Sequence, residues 1–377
     1  MTRAACGARP CTVATVASDP YRDQLLAHAR RLGFAAVGVT TAAPFEETRV
    51  HLETRRDAGL ASTMQFTYRN PSRATTPADS LPGAAALLVG AWPYGGPDPE
   101  PPAGSVGRVA RFARGAPYVA LRAALDTLAR HLKRDGHRAR VLMDDNALVD
   151  RAAAHRAGLG WWGKNTNLLV PDGGSWHLLG SVLTDVELTP TAGPVPDGCG
   201  SCRRCLDACP TGALDRPGVL DARACLTWLL QARGDFPREH RVALGDRIYG
   251  CDDCQVVCPP SRSGLRQASD PVETWLDVPT LLALDDDQLL EQVEHWYVPG
   301  RQARYLRRNL LIVLGNIGDR SDEREIAAIA AGLSHGEAVV RSHAVWAARR
   351  LGLDRLLGPV ADDPDPGVHR ELAAPMP

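Results

Sequence analysis

The chain lacks the marks of several protein classes. No apolar run approaches the roughly 20 residues that a membrane-spanning helix needs. Its formal net charge is −1 over 377 residues, so nothing draws it to a polyanion in bulk, and any RNA contact requires a local patch. The stretch Met1–Pro20 holds two arginines but no continuous apolar segment, and it does not read as a secretory signal. Ten cysteines in a long chain without such a signal do not read as a disulfide framework, which belongs to small secreted domains. The expected setting is a reducing cytoplasm. A hydrophobic fraction of 44% suffices for ordinary cores, and the length predicts two or three domains.

What is present is cysteine, concentrated in one stretch. Eight of the ten lie between positions 199 and 258. The first run is Cys199-Gly-Ser-Cys202-Arg-Arg-Cys205-Leu-Asp-Ala-Cys209-Pro210. The second is Cys251-Asp-Asp-Cys254-Gln-Val-Val-Cys258-Pro259, and Cys225 stands between them. The first run has the C-x2-C-x2-C-x3-C-P spacing of two-cluster bacterial ferredoxins, in which the fourth cysteine serves the other cluster. Applied here, one 4Fe-4S cluster takes Cys199, Cys202, Cys205 and Cys258. The other takes Cys209, Cys251, Cys254 and, for want of a third cysteine in the second run, Cys225. Zinc also accepts paired C-x2-C units, but it has no use for a third cysteine at +3 and a fourth before proline. Cys6 and Cys11 read as bystanders. A chain built this way moves electrons.

From about Tyr21 to Leu188 helical and strand patterns alternate. Helices are expected over Tyr21–Leu32, Val119–Leu132 and Leu148–Ala157, with Gly33 and Gly158 as stops. Strands are expected over Phe34–Val39, Ala85–Trp92, Arg140–Met143, Asn167–Val170 and His177–Leu183. The proline-rich Thr189–Asp197 links this α/β part to the cysteines. After Pro260 the pattern is helical, with segments at Arg307–Leu314, Arg341–Leu351 and Val368–Ala373. The similar strings Arg307-Arg308-Asn309 and Arg341-Ser342-His343, each followed by Leu-Gly, read as short HEAT-like repeats. An ordinary helical bundle is the plainer alternative.

Three signals admit more than one reading. Gly158-Leu-Gly160-Trp-Trp-Gly163 fits G-x-G-x-x-G, but a helix precedes it and a strand-like segment follows, the reverse of a dinucleotide fingerprint. Its glycines are expected to let the backbone pass a bulky ligand. Asp144-Asp145-Asn146 ends a strand and opens a helix, so these residues either cap the helix or place a carboxylic acid at a strand end, where α/β folds bind ligands. Arg301, Arg304, Arg307 and Arg308 form a run without acids. They suit RNA phosphates as well as they suit a solvated helix face.

Taken together, these segments closely resemble the epoxyqueuosine reductase family, cobalamin-dependent iron–sulfur enzymes of tRNA modification. The resemblance rests on Asp150-Arg151 through Thr166, Cys199 through Leu214, Asp221-Ala-Arg-Ala-Cys225, and Arg247-Ile-Tyr-Gly-Cys251-Asp-Asp-Cys254-Gln255. It implies a cobalamin between the α/β part and the clusters, and repeats that help hold a tRNA anticodon stem-loop. The family's catalytic acid falls on Asp144, itself a cofactor neighbour. Cobalamin contacts fall on Arg73, Ala110, Leu168, Val170, Leu179 and Thr227. Trp161 and Trp162 are expected to form an apolar lid that raises the acid's pKa. This sequence departs from the family at Asp145-Asn146-Ala147 after the acid, at Tyr118-Val119, where the family has Tyr-His, and at Arg301–Leu306 before the repeats.

The expected architecture is an α+β multidomain chain. A tail (1–20) precedes an α/β cobalamin-binding domain (21–190), a ferredoxin-type two-cluster 4Fe-4S domain (191–270) and HEAT-like helical repeats (271–377). The implied activity is reduction of epoxyqueuosine to queuosine in the tRNA anticodon, with electrons from a low-potential donor of flavodoxin or ferredoxin type. A monomer without membrane attachment is expected. The alternatives are a dehalogenase-like cobalamin reductase of another substrate and a plain electron-transfer protein.

Overall fold

In the computed structural model, residues 18–191, 193–264 and 274–376 are described; Cys6 and Cys11 lie outside them. The N-terminal part is a four-stranded sheet ordered β1 (Ala36–Thr41), β2 (Ala86–Pro93), β7 (His177–Thr184), β4 (Ala139–Leu142). All three pairings are antiparallel. Its centre is buried on both faces. Leu88 and Val182 pack toward the helices Pro20–Leu32 and Pro117–Arg134. Leu87, Val89 and Leu183 pack toward the helix Asp150–Arg156, as the two-residue period of a strand requires. The amphipathic helix Pro117–Arg134 buries Leu121, Leu125, Leu128 and Leu132, each contributing about 1.5–3 kcal/mol.

Local chemistry sets the ends of these elements. Asp19 accepts the main-chain N–H of Arg22 and opens the helix Pro20–Leu32, which Gly33 closes at φ 110°. The expected capping of the next helix by Asp144–Asn146 is not what forms. Asp145 instead accepts the N–H of Ala147 at 2.9 Å, a tight turn two residues long, and the helix begins later, at Asp150 without a side-chain cap. The turn uses up the polar side chain that a cap needs.

In the glycine motif Gly163 lines the cavity described below, whereas Gly160 has a different cause from the one expected. β5 (Trp161–Trp162) and β6 (Leu168–Leu169) form a hairpin. A Cβ on Gly160 would stand 2.2 Å from the carbonyl oxygen of Leu169. Gly160 therefore lets the chain approach itself.

A second sheet crosses the expected domain limits. β3 (Val106–Val109), from the N-terminal part, pairs with β8 (Arg247–Tyr249) in parallel and with β9 (Trp275–Asp277) antiparallel. One hydrophobic core runs from Leu226–Tyr249 into the helices Arg304–Ile317, Glu323–Leu333, Ala338–Arg350 and Pro366–Ala373, so the core does not divide near residue 270. Arg304–Ile317 is its spine, with every residue from Tyr305 to Gly315 buried. No helix among the described residues is long and apolar enough to cross a membrane.

Candidate active site

A single cavity of about 1940 Å³ opens between the N-terminal sheet, the cysteine segment and the helical part. Pockets for drug-sized ligands measure about 300–1,000 Å³, so this one suits a larger group. Its lining includes Met143, Asp144, Tyr118 and Phe112 from the N-terminal part, Cys209, Cys225, Cys251 and Cys254 from the cysteine segment, and Tyr297 and Pro299 from the helical part.

The eight thiols are free of disulfides, and their charge interactions divide them into two groups. Cys205 and Cys258 interact with each other, with Cys199, and in the case of Cys258 with Cys202. Cys254 interacts with Cys209, Cys225 and Cys251. All four members of this second quartet line the cavity, and none of the first does. The quartets are loose: among the described residues, no three His, Cys, Asp or Glu side chains converge closely enough to hold one metal ion. A 4Fe-4S cluster is held by four cysteine thiolates, and each thiol quartet offers that donor set.

Buried charge pairs brace the second quartet. Asp252 accepts the Arg111 N–H at 2.8 Å, and Arg111 in turn pairs with Asp98 at 2.7 Å. Asp253 pairs with Arg247 at 2.6 Å. The two acids between Cys251 and Cys254 are thus matched by arginines and hold the loop in shape. Lys164 donates to the carbonyls of Gly200 (2.6 Å) and Cys202 (2.9 Å), while Asn165 donates to that of Cys254 (3.3 Å). The hairpin between β5 and β6 therefore ties both quartets to the N-terminal sheet. Lys164 and Asn165 were visible only as part of the Gly163–Thr166 string, without a role.

Asp144 lies just past the end of β4 with φ 50°, a left-handed conformation that aspartate tolerates better than most residues. Its side chain is exposed, but to the cavity. Water reaches it while the surrounding protein desolvates it, and that burial pushes its carboxyl above the ordinary range; the Arg151 guanidinium acts weakly in the opposite sense. Asp150 lines the same cavity. Burial first, and the Asp144 charge second, push its carboxyl well above the ordinary range.

Residues 198–261 match a 4Fe-4S double cluster binding domain. An epoxyqueuosine reductase of Xanthomonas campestris is 35% identical over 86% of this chain and 94% of that protein. One from Bacillus subtilis is 32% identical over 88% of each chain. The chain belongs to the epoxyqueuosine reductase family. A solved structure of an epoxyqueuosine reductase with an epoxyqueuosine-modified tRNA-Tyr stem loop superposes with a TM-score of 0.84 at 28% identity. It covers 93% of this chain and 98% of that one.

Within this reductase fold, Asp144, Leu168, Val170, Leu179 and Thr227 line the cavity, whereas Arg73 and Ala110 do not. Arg73 is exposed on a short helix, and Ala110 is buried beneath Gly250. The tryptophan lid is corrected. Trp161 packs with Leu169 and Cys258, beside the first quartet, and only Trp162 lines the cavity. Tyr118 feels the acid: its phenol is held well above its usual pKa by burial and by the charges of Asp144 and Asp150.

The arginine run separates into two kinds. Arg308 is fully buried and donates to the carbonyls of Ala232 (2.9 Å), Gly234 (2.6 Å) and Leu229 (3.0 Å). Arg307 is buried against Asp286 and the carbonyls of Leu282 and Leu284. Neither is available to RNA, because each guanidinium is already spent on helix ends. Arg301 is exposed, with one nitrogen on the Leu290 carbonyl at 2.9 Å, and Arg304 is half-buried and pairs with Glu337 at 2.6 Å.

Proposed function

We propose that this chain reduces epoxyqueuosine to queuosine in the anticodon of tRNA, using two 4Fe-4S clusters and a cobalamin. One observation carries the reading: a single large cavity is lined both by one thiol quartet and by a desolvated carboxylic acid. The membership of the family supplies the substrate.

The first cluster takes Cys199, Cys202, Cys205 and Cys258, and the second takes Cys209, Cys225, Cys251 and Cys254. Cobalamin occupies the cavity against Leu168, Val170, Leu179 and Thr227, which present aliphatic surface and one hydroxyl. Bound there, it supplies low-potential electron chemistry that the side chains cannot. The protein's own part is placement, exclusion of water and proton supply. Asp144, whose carboxyl desolvation pushes above the ordinary range, delivers its proton to the epoxide oxygen as the C–O bond breaks. The helical part, read as HEAT-like repeats, helps hold the anticodon stem-loop, with Arg301 and Arg304 as remaining phosphate contacts. A low-potential donor of flavodoxin or ferredoxin type feeds the first cluster, which lies away from the cavity. The expected setting is the cytoplasm.

The test is an anaerobic assay of the cluster-loaded chain with added cobalamin, a dithionite-type reductant and an epoxyqueuosine-containing stem-loop. Queuosine that forms only with all components present supports the reading. Absence of product from cluster-replete protein with bound cobalamin overturns it.

A further inference from the structure

Removing an epoxide oxygen as water consumes two electrons and two protons. Asp144 holds one proton at a time, so the site needs a second source within reach. Asp150 lines the same cavity, and its Oδ1 is buried with no hydrogen-bond partner. The main-chain N–H of Asp144 faces its carboxyl. The charged and titratable groups around it are Asp144 and Asp145 on the loop after β4, Arg151 beside it, and Tyr118 on the helix Pro117–Arg134. Arg151 is the one cation among them, and it is shared with Asp144.

A buried carboxylate oxygen without a donor is costly, whereas a neutral carboxyl there is not. Two carboxyls facing one another resist ionising together. A brace or cap would engage both carboxyl oxygens, whereas Oδ1 of Asp150 has no partner and the carboxyl meets only the main-chain N–H of Asp144. Tyr118 is the poorer proton source, since its phenol holds its proton more tightly than usual.

We propose that Asp150 is the proton reserve of the site, holding the second proton and passing it to Asp144 after the first transfer. This rests on the reductase reading above. Asp144 gives its proton to the oxygen as the first C–O bond breaks and becomes a carboxylate. Asp150 protonates it and is left as a carboxylate beside Arg151. Asp144 then gives the second proton as the remaining C–O bond breaks and water leaves. The two electrons that complete the C=C bond would be supplied by the clusters and cofactor when these are bound. Solvent in the cavity returns both carboxyls to their starting state.

Two measurements test this on the cluster-loaded chain. Infrared spectroscopy at neutral to mildly alkaline pH, with carbon-13-labelled aspartate, should show a protonated carboxyl that Asp150→Asn removes. The absence of any such band in the native chain overturns the proposal, and this readout does not depend on turnover. In the stem-loop assay Asp150→Asn should bind cobalamin and keep its iron, yet turn over about tenfold slower at alkaline pH and near normally at acid pH. Asp150→Glu should restore the alkaline limb. A pH profile superimposable on the native one overturns the proposal, and so does uniform slowing that Asp150→Glu fails to relieve. A native chain that shows the band but forms no queuosine instead contradicts the substrate reading.

Discussion

A proton donor is useful only if it still holds its proton when the bond breaks, and at Asp144 desolvation decides this. Its carboxyl is raised by burial and lowered by Arg151, with burial the larger cause. The acid form is needed, so activity should be present below the raised pKa and fall as pH rises through it. Asp144→Asn should retain iron, cobalamin and RNA affinity while turnover falls about 10²- to 10⁴-fold, the usual worth of a general acid. Normal turnover in that variant, with loss in Asp145→Asn, would move the acid by one residue. Cys225 makes a separate case. It interacts with Cys209, Cys251 and Cys254. Cys225→Ser should therefore cost about four irons per chain and leave the other cluster's spectrum. A full complement of about eight irons in that variant would break the assigned partition.

At the scale of elements, the helix Arg304–Ile317 does more than fill the core. Arg308 lies fully buried within it, where burial lowers its pKa to about 10. Its fork reaches the last carbonyls of the short helix Leu226–Gln231, the end that a cation favours. That helix starts directly after Cys225 and carries Thr227 into the cavity. Arg308→Lys keeps the charge but loses the planar fork, and it should destabilise the fold by about 2–4 kcal/mol in denaturant titration. The Cys225 cluster should be lost before the other. Nearby His343 is fully buried, with Nε2 accepting the Phe236 N–H and Nδ1 on the Val339 carbonyl. Burial, with Arg241 and Arg308 adding to it, holds its pKa well below 6.5. It folds neutral, so its contribution is intact above the unfolded value and is lost as pH falls below about 6.5, where only the unfolded chain takes the proton. Thermal midpoints measured downward from that pH should drop more steeply for the native chain than for His343→Gln. Parallel curves for the two would remove His343 as the cause.

Across the whole molecule, what was legible in the sequence was what depends on short spacing. The central strands and the helices Pro20–Leu32 and Pro117–Arg134 follow from local periodicity, and their observed bounds lie within a few residues of expectation. Contacts between distant segments were not legible. Nothing local in Val106–Val109 announces a parallel partner at Arg247–Tyr249, and nothing in Arg307-Arg308 tells a solvated pair from one sunk among carbonyls 23–79 residues away. The same limit hid Arg233, which lines the cavity near Tyr297, is exposed, and makes no hydrogen bond or ion pair among the described residues. This separates two kinds of arginine in a salt titration of stem-loop binding. Arg233→Ala removes a free cation, so it should leave thermal stability unchanged and flatten the salt dependence by roughly one slope unit if it meets a phosphate. Arg301 and Arg304 are partly spent on Leu290 and Glu337, so changing both to alanine should lower stability together with RNA affinity. Tyr297 is 60% exposed at the same rim, and its loss should weaken binding with the salt slope unchanged, because stacking releases no counterions. If all three changes left affinity and slope as they were, the helical face would not be where the RNA rests.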